Sequence, residues 1–224
     1  MAAWATLRCP PCSLSKVLPQ PLALQSDVTY AIAGGLGGLG GIIAEWMAQQ
    51  GVRHIALIGR NADPGSDRVR ALEQTGIQVL AIQADVSQSA DVVRVLNKIE
   101  ATMPPLRGII HSAGVLDDGL LLQQDWARFE RVLAPKVEGA WNLHSLTQTH
   151  SVDFFVCFSS TASLFGSPGQ GSYAAANAFL DALAHYRQAH GLPSLTINWG
   201  LWDTVGMAAT VNARSRQRWT DRGH

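Results

Sequence analysis

Cysteine is scarce in this chain, with three among 224 residues, and neither charge sign is in excess. Three cysteines cannot form the disulfide framework of a small secreted domain, so a reducing, intracellular setting is the simplest interpretation. Seventeen basic residues balance seventeen acidic ones, which argues against nucleic acid as the main partner. No apolar run approaches the roughly 18 residues of a membrane span. We therefore expect a cytoplasmic protein with no membrane segment.

The cysteines that are present carry little functional signal. Cys9 and Cys12 form a CxxC pair, but a zinc ribbon needs a second pair, and a thioredoxin-like site needs a strand before the motif and a helix after it. Here two prolines fill the gap between them. Cys157 lies in the apolar run DFFVCF and is best explained as a core residue. We expect no metal site.

The first 27 residues are rich in Pro and Ala, and their one acid is Asp27. They lack the apolar core of roughly 7–15 residues that a secretory signal needs. An organelle transit peptide would explain the shortage of acids, but not that of arginines. We favour an irregular linker over 1–27 that enters one domain over 28–224. The apolar fraction of 47% and the charged fraction of 15% are those of a globular protein.

From Val28 onward, apolar runs alternate with helical patterns. Six runs predict strands: VTYAIA, HIALIG, IQVLAIQ, RGIIHSAG, DFFVCFSS and SLTINWG. Helices are predicted over about 38–50, 67–76, 89–101, 125–149 and 173–189, with an N-cap at Ser89, a stop at Gly76 and a break or kink at Pro135. Near-continuous apolar strands with helical crossovers predict an α/β, Rossmann-type, doubly wound parallel sheet in three layers. Ligands bind such sheets at the carboxyl ends of the strands.

A glycine-rich segment, AGGLGGLG over residues 33–40, directly follows the first predicted strand and opens the first helix. In this context its first glycine allows a sharp turn, the middle pair lets the backbone approach a pyrophosphate, and the last lets the helix pack against the sheet. The helix N-terminus then faces the anion. A flexible loop is the alternative. The predicted cofactor-binding residues are Gly34, Gly37, Gly38, Leu39 and Gly40.

The end of the second predicted strand indicates which dinucleotide binds. A free ribose 2′-OH calls for an acid there, whereas a 2′-phosphate calls for a cation. This strand ends at Gly59 and Arg60, with no acid before Asp63. The planar guanidinium of Arg60 suits a phosphate, although an ordinary surface arginine is the alternative. We therefore expect NADPH as the cofactor.

A third pattern lies after the fifth predicted strand. Ser160 ends a serine pair at the strand, Tyr173 follows thirteen residues later at a helix start, and Asn177 lies one turn further on the same helical face. Reduction of a carbonyl needs a hydride donor and a proton donor. A tyrosine whose pKa is lowered by a nearby ammonium can supply the proton.

These residues resemble the active site of the short-chain dehydrogenases, which use a Ser, a Tyr and a Lys four residues after the Tyr. Asn177 stands at the lysine position. The segment APKVEGAWNLH over 134–144 resolves the difference, because it is similar to polyketide synthase ketoreductase domains, in which the Lys and Asn exchange places. Lys136 matches the exchanged lysine. The likeness extends to TYAIAGGLGGLG, ADV (84–86), RGIIHSAGVLDDGLL (107–121) and LPSLTINWGLW (192–202), and spans about residues 28–223.

The resemblance implies a role for each catalytic residue. Tyr173 would donate the proton, Ser160 would bind the substrate carbonyl, and Lys136 would lower the pKa of Tyr173 and contact the nicotinamide ribose. Asn177 would hold the lysine and an ordered proton path. Taken singly, each residue has an ordinary structural explanation, such as a half-buried helix residue for Tyr173 or a solvated charge for Lys136.

The resemblance also assigns the remaining nucleotide contacts. Asp85 and Val86 would flank the adenine. Ser112, Ala113 and Gly114 would line the nucleotide at the end of the fourth strand.

Stereochemical markers of that family are present at two places. Leu116, Asp117 and Asp118 form the LDD signature of B-type ketoreductases, and Gln170 stands where the opposite type has a Trp three residues before the tyrosine. The resemblance therefore implies a D-configured β-hydroxyl product, with Asp118 and Gln170 orienting the substrate. Ala175 replaces the Pro of the epimerising subtype, which favours simple reduction.

Two departures from the family pattern stand out. Ala33 replaces the usual Thr at the start of the glycine motif, which we expect to loosen the turn slightly. The family also pairs this catalytic half with a preceding structural half, and the segment over 16–30 resembles the connector that leaves such a half. The sequence ends at RWTDRGH, before a helix or strand into which those domains usually continue. We expect a piece of a larger synthase, with an apolar patch exposed where the other half docks.

Three functions remain open at this point. The leading hypothesis is an enzyme that reduces a β-ketoacyl thioester on an acyl carrier protein. A second is a free-standing reductase of small ketones or fatty-acyl intermediates. A third, from another class, is a non-catalytic NADP-sensing module, although such modules usually lose the catalytic set that is complete here.

Overall fold

The computed structural model describes residues 24–202, which form a six-stranded parallel sheet covered by helices. The strands are β1 (Thr29–Ala33), β2 (His54–Gly59), β3 (Gln78–Gln83), β4 (Leu106–His111), β5 (Phe154–Ser160) and β6 (Leu195–Trp199). The helices are α1 (Gly38–Gln49), α2 (Asp67–Gln74), α3 (Ser89–Thr102), α4 (Trp126–Leu146), α5 (Ala162–Phe165) and α6 (Gly171–Ala189), with one 3-10 turn at Leu121–Gln123. The strand order is β3-β2-β1-β4-β5-β6. The predicted Rossmann-type sheet is confirmed.

The core consists of two apolar clusters, one on each face of the sheet. On one face α1 and α2 contribute residues such as Met47 and Leu72. On the other face α3, α4 and α6 contribute residues such as Val95, Leu143 and Leu180. All five residues of β1 are buried, as expected for a central strand covered on both sides. The result is the predicted three-layer arrangement.

The predicted N-cap at Ser89 is wrong, and of the two alternatives at Pro135 the break is wrong and the kink stays a prediction. Ser89 does not cap α3: it is the first helical residue, Gln88 precedes it, and neither supplies a side-chain cap. Pro135 does not break α4, which runs from Trp126 to Leu146 without interruption. Proline removes one intrahelical hydrogen bond, and the buried face of α4 packs against α6 and α3 strongly enough to keep the helix whole. The predicted stop at Gly76 is confirmed by its left-handed φ of +84°.

The described end of the proposed linker already contacts the domain. Leu24 packs against the core, and the backbone N–H of Gln25 donates to the hydroxyl of Tyr30 at 2.9 Å. Cys9, Cys12, the start of the connector-like segment and the terminal RWTDRGH lie outside the described residues. The boundary between 1–27 and 28–224 therefore stays a prediction.

Neither a membrane span nor a metal cluster is found among residues 24–202. No helix in this range is long and apolar enough to cross a membrane. No group of three or more His, Cys, Asp or Glu side chains in the same range is arranged to hold a metal ion.

Candidate active site

The glycine-rich segment forms a tight turn between β1 and α1. Gly34 adopts a φ of +80°, and a Cβ atom there would lie 2.7 Å from the backbone nitrogen of Ala113. A Cβ atom on Gly40 would overlap the carbonyl oxygen of Gly34 and lie 2.7 Å from Ser112 Oγ. Glycine is required at both positions, because a side chain would collide with the backbone of the turn or of the segment after β4.

The N-terminus of α1 opens at the same edge of the sheet. Gly37 is its N-cap and supplies no side-chain cap. Because the first N–H groups of a helix have no intrahelical acceptor, Gly38 and Leu39 present donors to an anion there. Ser112 connects the segment after β4 to the end of β1, since its N–H and its hydroxyl each donate to the carbonyl of Ala33 at 2.8 Å. The turn therefore fits a dinucleotide diphosphate.

Asp85 and Val86 form the turn after β3, where the adenine was expected. Asp85 Oδ1 accepts from the N–H of Ser87 at 3.0 Å, and the N–H of Asp85 donates to Asp91 Oδ2 at 2.7 Å. From α4, Asn142 Nδ2 donates to the carbonyl of Val86 at 3.0 Å. The turn is thus held by side chains of two helices, α3 and α4.

Arg60 follows β2 and lies near this turn. Both Arg60 and Asp85 line a cleft of about 680 Å³, together with Arg94 and Lys98 of α3. Among residues 24–202, no carboxylate forms an ion pair with Arg60. This placement is compatible with the predicted contact to a ribose 2′-phosphate.

Lys136 reaches the centre of the site from α4. Its side chain is 2% exposed, and its Nζ donates to the carbonyl of Phe158 at 2.9 Å and lies 5.5 Å from the centroid of the Tyr173 ring. A Cβ atom on Gly114 would lie 2.9 Å from Lys136 Cε, so the glycine makes room for the lysine. Burial lowers the pKa of Lys136 to about 8, which still leaves the ammonium predominant at neutral pH.

Tyr173 lies in the first turn of α6, which begins two residues earlier than predicted. Burial raises the pKa of Tyr173 above its ordinary value, and hydrogen bonding by Ser160 and Asn177 partly offsets this. The net direction is opposite to the lowering expected from Lys136. The phenol therefore keeps its proton at neutral pH.

Ser160 ends β5 and its Oγ accepts from the N–H of Ala162 at 3.2 Å. Asn177 is fully buried, and its Nδ2 donates to the carbonyl of Tyr173 at 2.8 Å. Asn177 Oδ1 has no hydrogen-bond partner among the described residues. The resemblance implied that Asn177 holds the lysine, but among the described residues Lys136 Nζ donates to the carbonyl of Phe158 and makes no hydrogen bond to Asn177. The amide oxygen of Asn177 is therefore an acceptor that a water or a ligand can use.

The two stereochemical markers meet across the mouth of the site. Gln170 Nε2 donates to Asp118 Oδ2 at 3.0 Å, and the N–H of Gly119 donates to the carbonyl of Gly169 at 2.8 Å. Asp117 accepts from Arg128 and forms a second ion pair with Arg131. The loop after β4 is therefore tied both to α4 and to the loop before α6.

Comparison with known proteins agrees with this geometry. A family profile described as "KR domain" matches residues 28–204. The chain is also 41% identical over 215 residues, 92% of its length, to a phenolphthiocerol synthesis type I polyketide synthase of Mycobacterium marinum, of which it covers 10%. The chain belongs to the ketoreductase domains of polyketide synthases. These domains are oxidoreductases that use a nicotinamide cofactor.

Another curated relative of this ketoreductase is fungal. The highly reducing polyketide synthase azaB of Aspergillus niger is 42% identical over 194 residues, which is 87% of this chain and 8% of that protein. The ketoreductase chain thus spans about a tenth of the length of the large multidomain synthases that it matches.

Solved ketoreductases share the fold. The ketoreductase from the first module of phoslactomycin biosynthesis in a Streptomyces species superposes with a TM-score of 0.83 at 32% identity, covering 92% of this chain and 47% of that one. An A-type ketoreductase from a modular polyketide synthase superposes with a TM-score of 0.80 at 36% identity, covering 91% and 44%. Because the overall fold is shared with a structure described as A-type, it does not determine the stereochemical type.

The ketoreductase site includes polar residues that the sequence reasoning missed. Asp91 and Asn142 fix the turn after β3, at Asp85 and Val86. His111 is fully buried beside Lys136, neither ring nitrogen has a hydrogen-bond partner among the described residues, and burial lowers its pKa to about 3. Asp181 follows Asn177 by one turn of α6 and binds side chains next to Ser160. No local pattern marks these four, because their roles depend on contacts between distant elements.

Proposed function

We propose that this chain catalyses the NADPH-dependent reduction of a β-ketoacyl thioester, carried on an acyl carrier protein, to the β-hydroxyacyl thioester. The observation that carries the proposal is the convergence of Lys136 from α4, Ser160 from β5 and Tyr173 from α6 beside the glycine turn. A nucleotide-sensing module would have no need to bury a lysine against a tyrosine at this edge.

The proposed reaction places one proton donor and one orienting hydroxyl at the ketone. When bound, the nicotinamide supplies the hydride that reaches the carbonyl carbon. Ser160 donates a hydrogen bond to the carbonyl oxygen, and Tyr173 transfers its phenolic proton to that oxygen as the C–O double bond becomes a single bond. The product is a secondary alcohol, and a tyrosinate is left behind.

Lys136 and Asn177 then act on the tyrosinate. The ammonium of Lys136 lies over the ring and stabilises the negative charge that forms there. Asn177 Oδ1 is a buried acceptor without a partner among the described residues, one helical turn from Tyr173, and a water bound to it would return a proton to Tyr173. The raised pKa keeps the resting phenol protonated, and the negative charge develops only as the proton moves to the substrate oxygen, where Lys136 stabilises the resulting tyrosinate until it is reprotonated.

The test of the function is an NADPH-oxidation assay on a β-ketoacyl thioester. We expect turnover on the thioester attached to a carrier protein, and slower turnover on the same acyl group attached to a small thiol. Equal rates on both would favour the free-standing reductase. Absence of turnover on either, with NADPH still bound, would favour the sensing module.

Replacing Arg60 with Ala should raise the Kd of NADPH by about 10- to 100-fold, because one charge-assisted contact to the 2′-phosphate is lost. The Kd of NADH should not change. Isothermal titration of both cofactors measures this, with Arg70→Ala as the control, since Arg70 is an exposed arginine whose one ion pair within residues 24–202 is with Asp67. Equal losses for NADPH and NADH would contradict the assignment.

We also propose B-type stereochemistry, that is, a D-configured β-hydroxyl product without epimerisation. The support is the hydrogen bond between Gln170 and Asp118, which places the two marker residues together at the mouth of the site. Chiral chromatography of the reduced diketide thioester should show the D-alcohol in large excess. An L-alcohol would contradict the proposal.

Two partners belong to the same proposal. The carrier protein delivers the substrate, and a structural half or other synthase domains complete the assembly. Exposed apolar side chains beside the mouth, Leu121, Leu122 and Trp126, are the support for a covering partner. We propose a cytoplasmic location, in keeping with the scarcity of cysteine.

A further inference from the structure

The geometry points to Asp181 as a positioning residue of this site. We infer that its carboxylate supports the end of the strand that carries Ser160 and offsets the buried charge of Lys136. The inference rests on the proposed function, because it concerns the same catalytic residues.

The spacing of α6 brings Asp181 into line with the catalytic side chains. Tyr173, Asn177 and Asp181 are four residues apart, so they form one stripe along the helix. The first two residues of this stripe are Tyr173, the proposed proton donor, and Asn177, the buried amide. Asp181 is the next residue in the stripe, and it is half-buried.

Hydrogen bonds connect Asp181 to the strand end. Ser163 Oγ lies 2.6 Å from Asp181 Oδ2 and 2.8 Å from the carbonyl oxygen of Ser160. A serine has one proton to donate, and the charged acceptor binds it more strongly. Asn198 Nδ2 of β6 lies 3.1 Å from Asp181 Oδ2 and 3.2 Å from Ser159 Oγ. One carboxylate thus anchors two side chains that flank the serine pair.

Within residues 24–202, Asp181 is the one carboxylate among the groups that influence the pKa of Lys136. His111 is neutral because its pKa is lowered to about 3, and Cys157 is a neutral thiol because burial raises its pKa to about 12. Tyr173 is a neutral phenol. Cys157 and then Asp181 oppose the lowering of the Lys136 pKa by burial. Since the thiol is uncharged at neutral pH, the lasting electrostatic support comes from Asp181.

The experiment compares pH profiles of kcat/KM in the 224-residue chain. Asp181→Asn keeps the shape of the side chain and removes its charge. Because the charged form of Lys136 then loses support, the alkaline limb of the profile, where Lys136 loses its proton, should move to lower pH by about one unit. The value of kcat should also fall about tenfold or more. Asp181→Glu should return the limb toward its original pH. Ser163→Ala removes an anchor and keeps the charge, so it should lower kcat without moving the limb. Glu138→Gln removes an exposed acid two residues from Lys136 and should change neither quantity.

A second readout separates this inference from the proposed function. The chain has three lysines, Lys16, Lys98 and Lys136, so lysine labelled with ¹³C at Cε gives three resonances that Lys98→Met and Lys136→Met assign. The Lys136 resonance should titrate at lower pH in Asp181→Asn than in the unmodified chain. An unchanged titration, or an equal shift in Ser163→Ala, would overturn the inference. If no substrate is reduced, the proposed function fails, and the NMR titration alone decides the role of Asp181.

Discussion

The Tyr173→Phe variant should lose about 10²- to 10⁴-fold in kcat, the contribution of a positioned proton donor, while its Kd for NADPH stays within about twofold. The ring that lies beside Lys136 is kept, so the packing of α6 against α4 should hold. What disappears is the single hydroxyl that we propose protonates the alkoxide. Stopped-flow reduction of a β-ketoacyl thioester and fluorescence titration of NADPH measure the two quantities.

Tyr186→Phe is the matched control for this variant. Tyr186 lies on the same helix, but its side chain is 45% exposed and it packs beside His144 and His190, away from the glycine turn. Removing its hydroxyl should leave kcat unchanged. Near-normal turnover in Tyr173→Phe would contradict the mechanism, and a comparable loss in both variants would indicate damage to α6 and not loss of a proton donor.

Local sequence patterns were sufficient for the framework of this site. The apolar run before residue 34 and the glycines after it define β1, the turn and α1, because strand and helix periodicities and the steric demands of Gly34 and Gly40 are local properties. Pro135 shows where such reasoning fails. Its local preference predicts a break, but the packing of the surrounding helix against its neighbours outweighs one missing hydrogen bond.

The proposed catalytic contact is not a local property. Lys136 and Tyr173 are separated by 37 positions and lie on different helices, so only the family resemblance brought them together before the fold was known. That resemblance did not provide the energetic details. Burial raises the pKa of Tyr173, and Lys136 is held by the carbonyl of Phe158. Neither effect could be read from the sequence, because both depend on how tightly α4 and α6 pack over β5.

The Lys136→Met variant should lose at least about 10²-fold in kcat and yet be more stable than the unmodified chain at pH 7. A buried ammonium is expensive, and an apolar side chain of similar length fills the same space without that desolvation cost. The pKa of Lys136 falls from 10.5 to about 8 on folding. At pH 7 this shift lowers the free energy of unfolding by about 3 kcal/mol.

The direction of the pH dependence follows from this shift. Because the folded pKa lies below the unfolded one, the unfolded chain binds more protons between about pH 8 and 10.5, and stability should rise with pH across that range. Urea denaturation at pH 7 and pH 9.5 should show the rise in the unmodified chain and no rise in Lys136→Met. Lys98→Met, which removes an exposed lysine of α3, should keep the rise.

The two outcomes of this variant have the same physical origin. A buried lysine that lowers stability is expected where its charge has a function, and the proposed function is to stabilise a tyrosinate at Tyr173, whose ring centroid lies 5.5 Å from the ammonium. If Lys136→Met were less stable and still active, the lysine would be a structural residue that anchors α4 through the carbonyl of Phe158. Loss of turnover together with a gain in stability is the combination that a catalytic role requires and that a structural role would not produce.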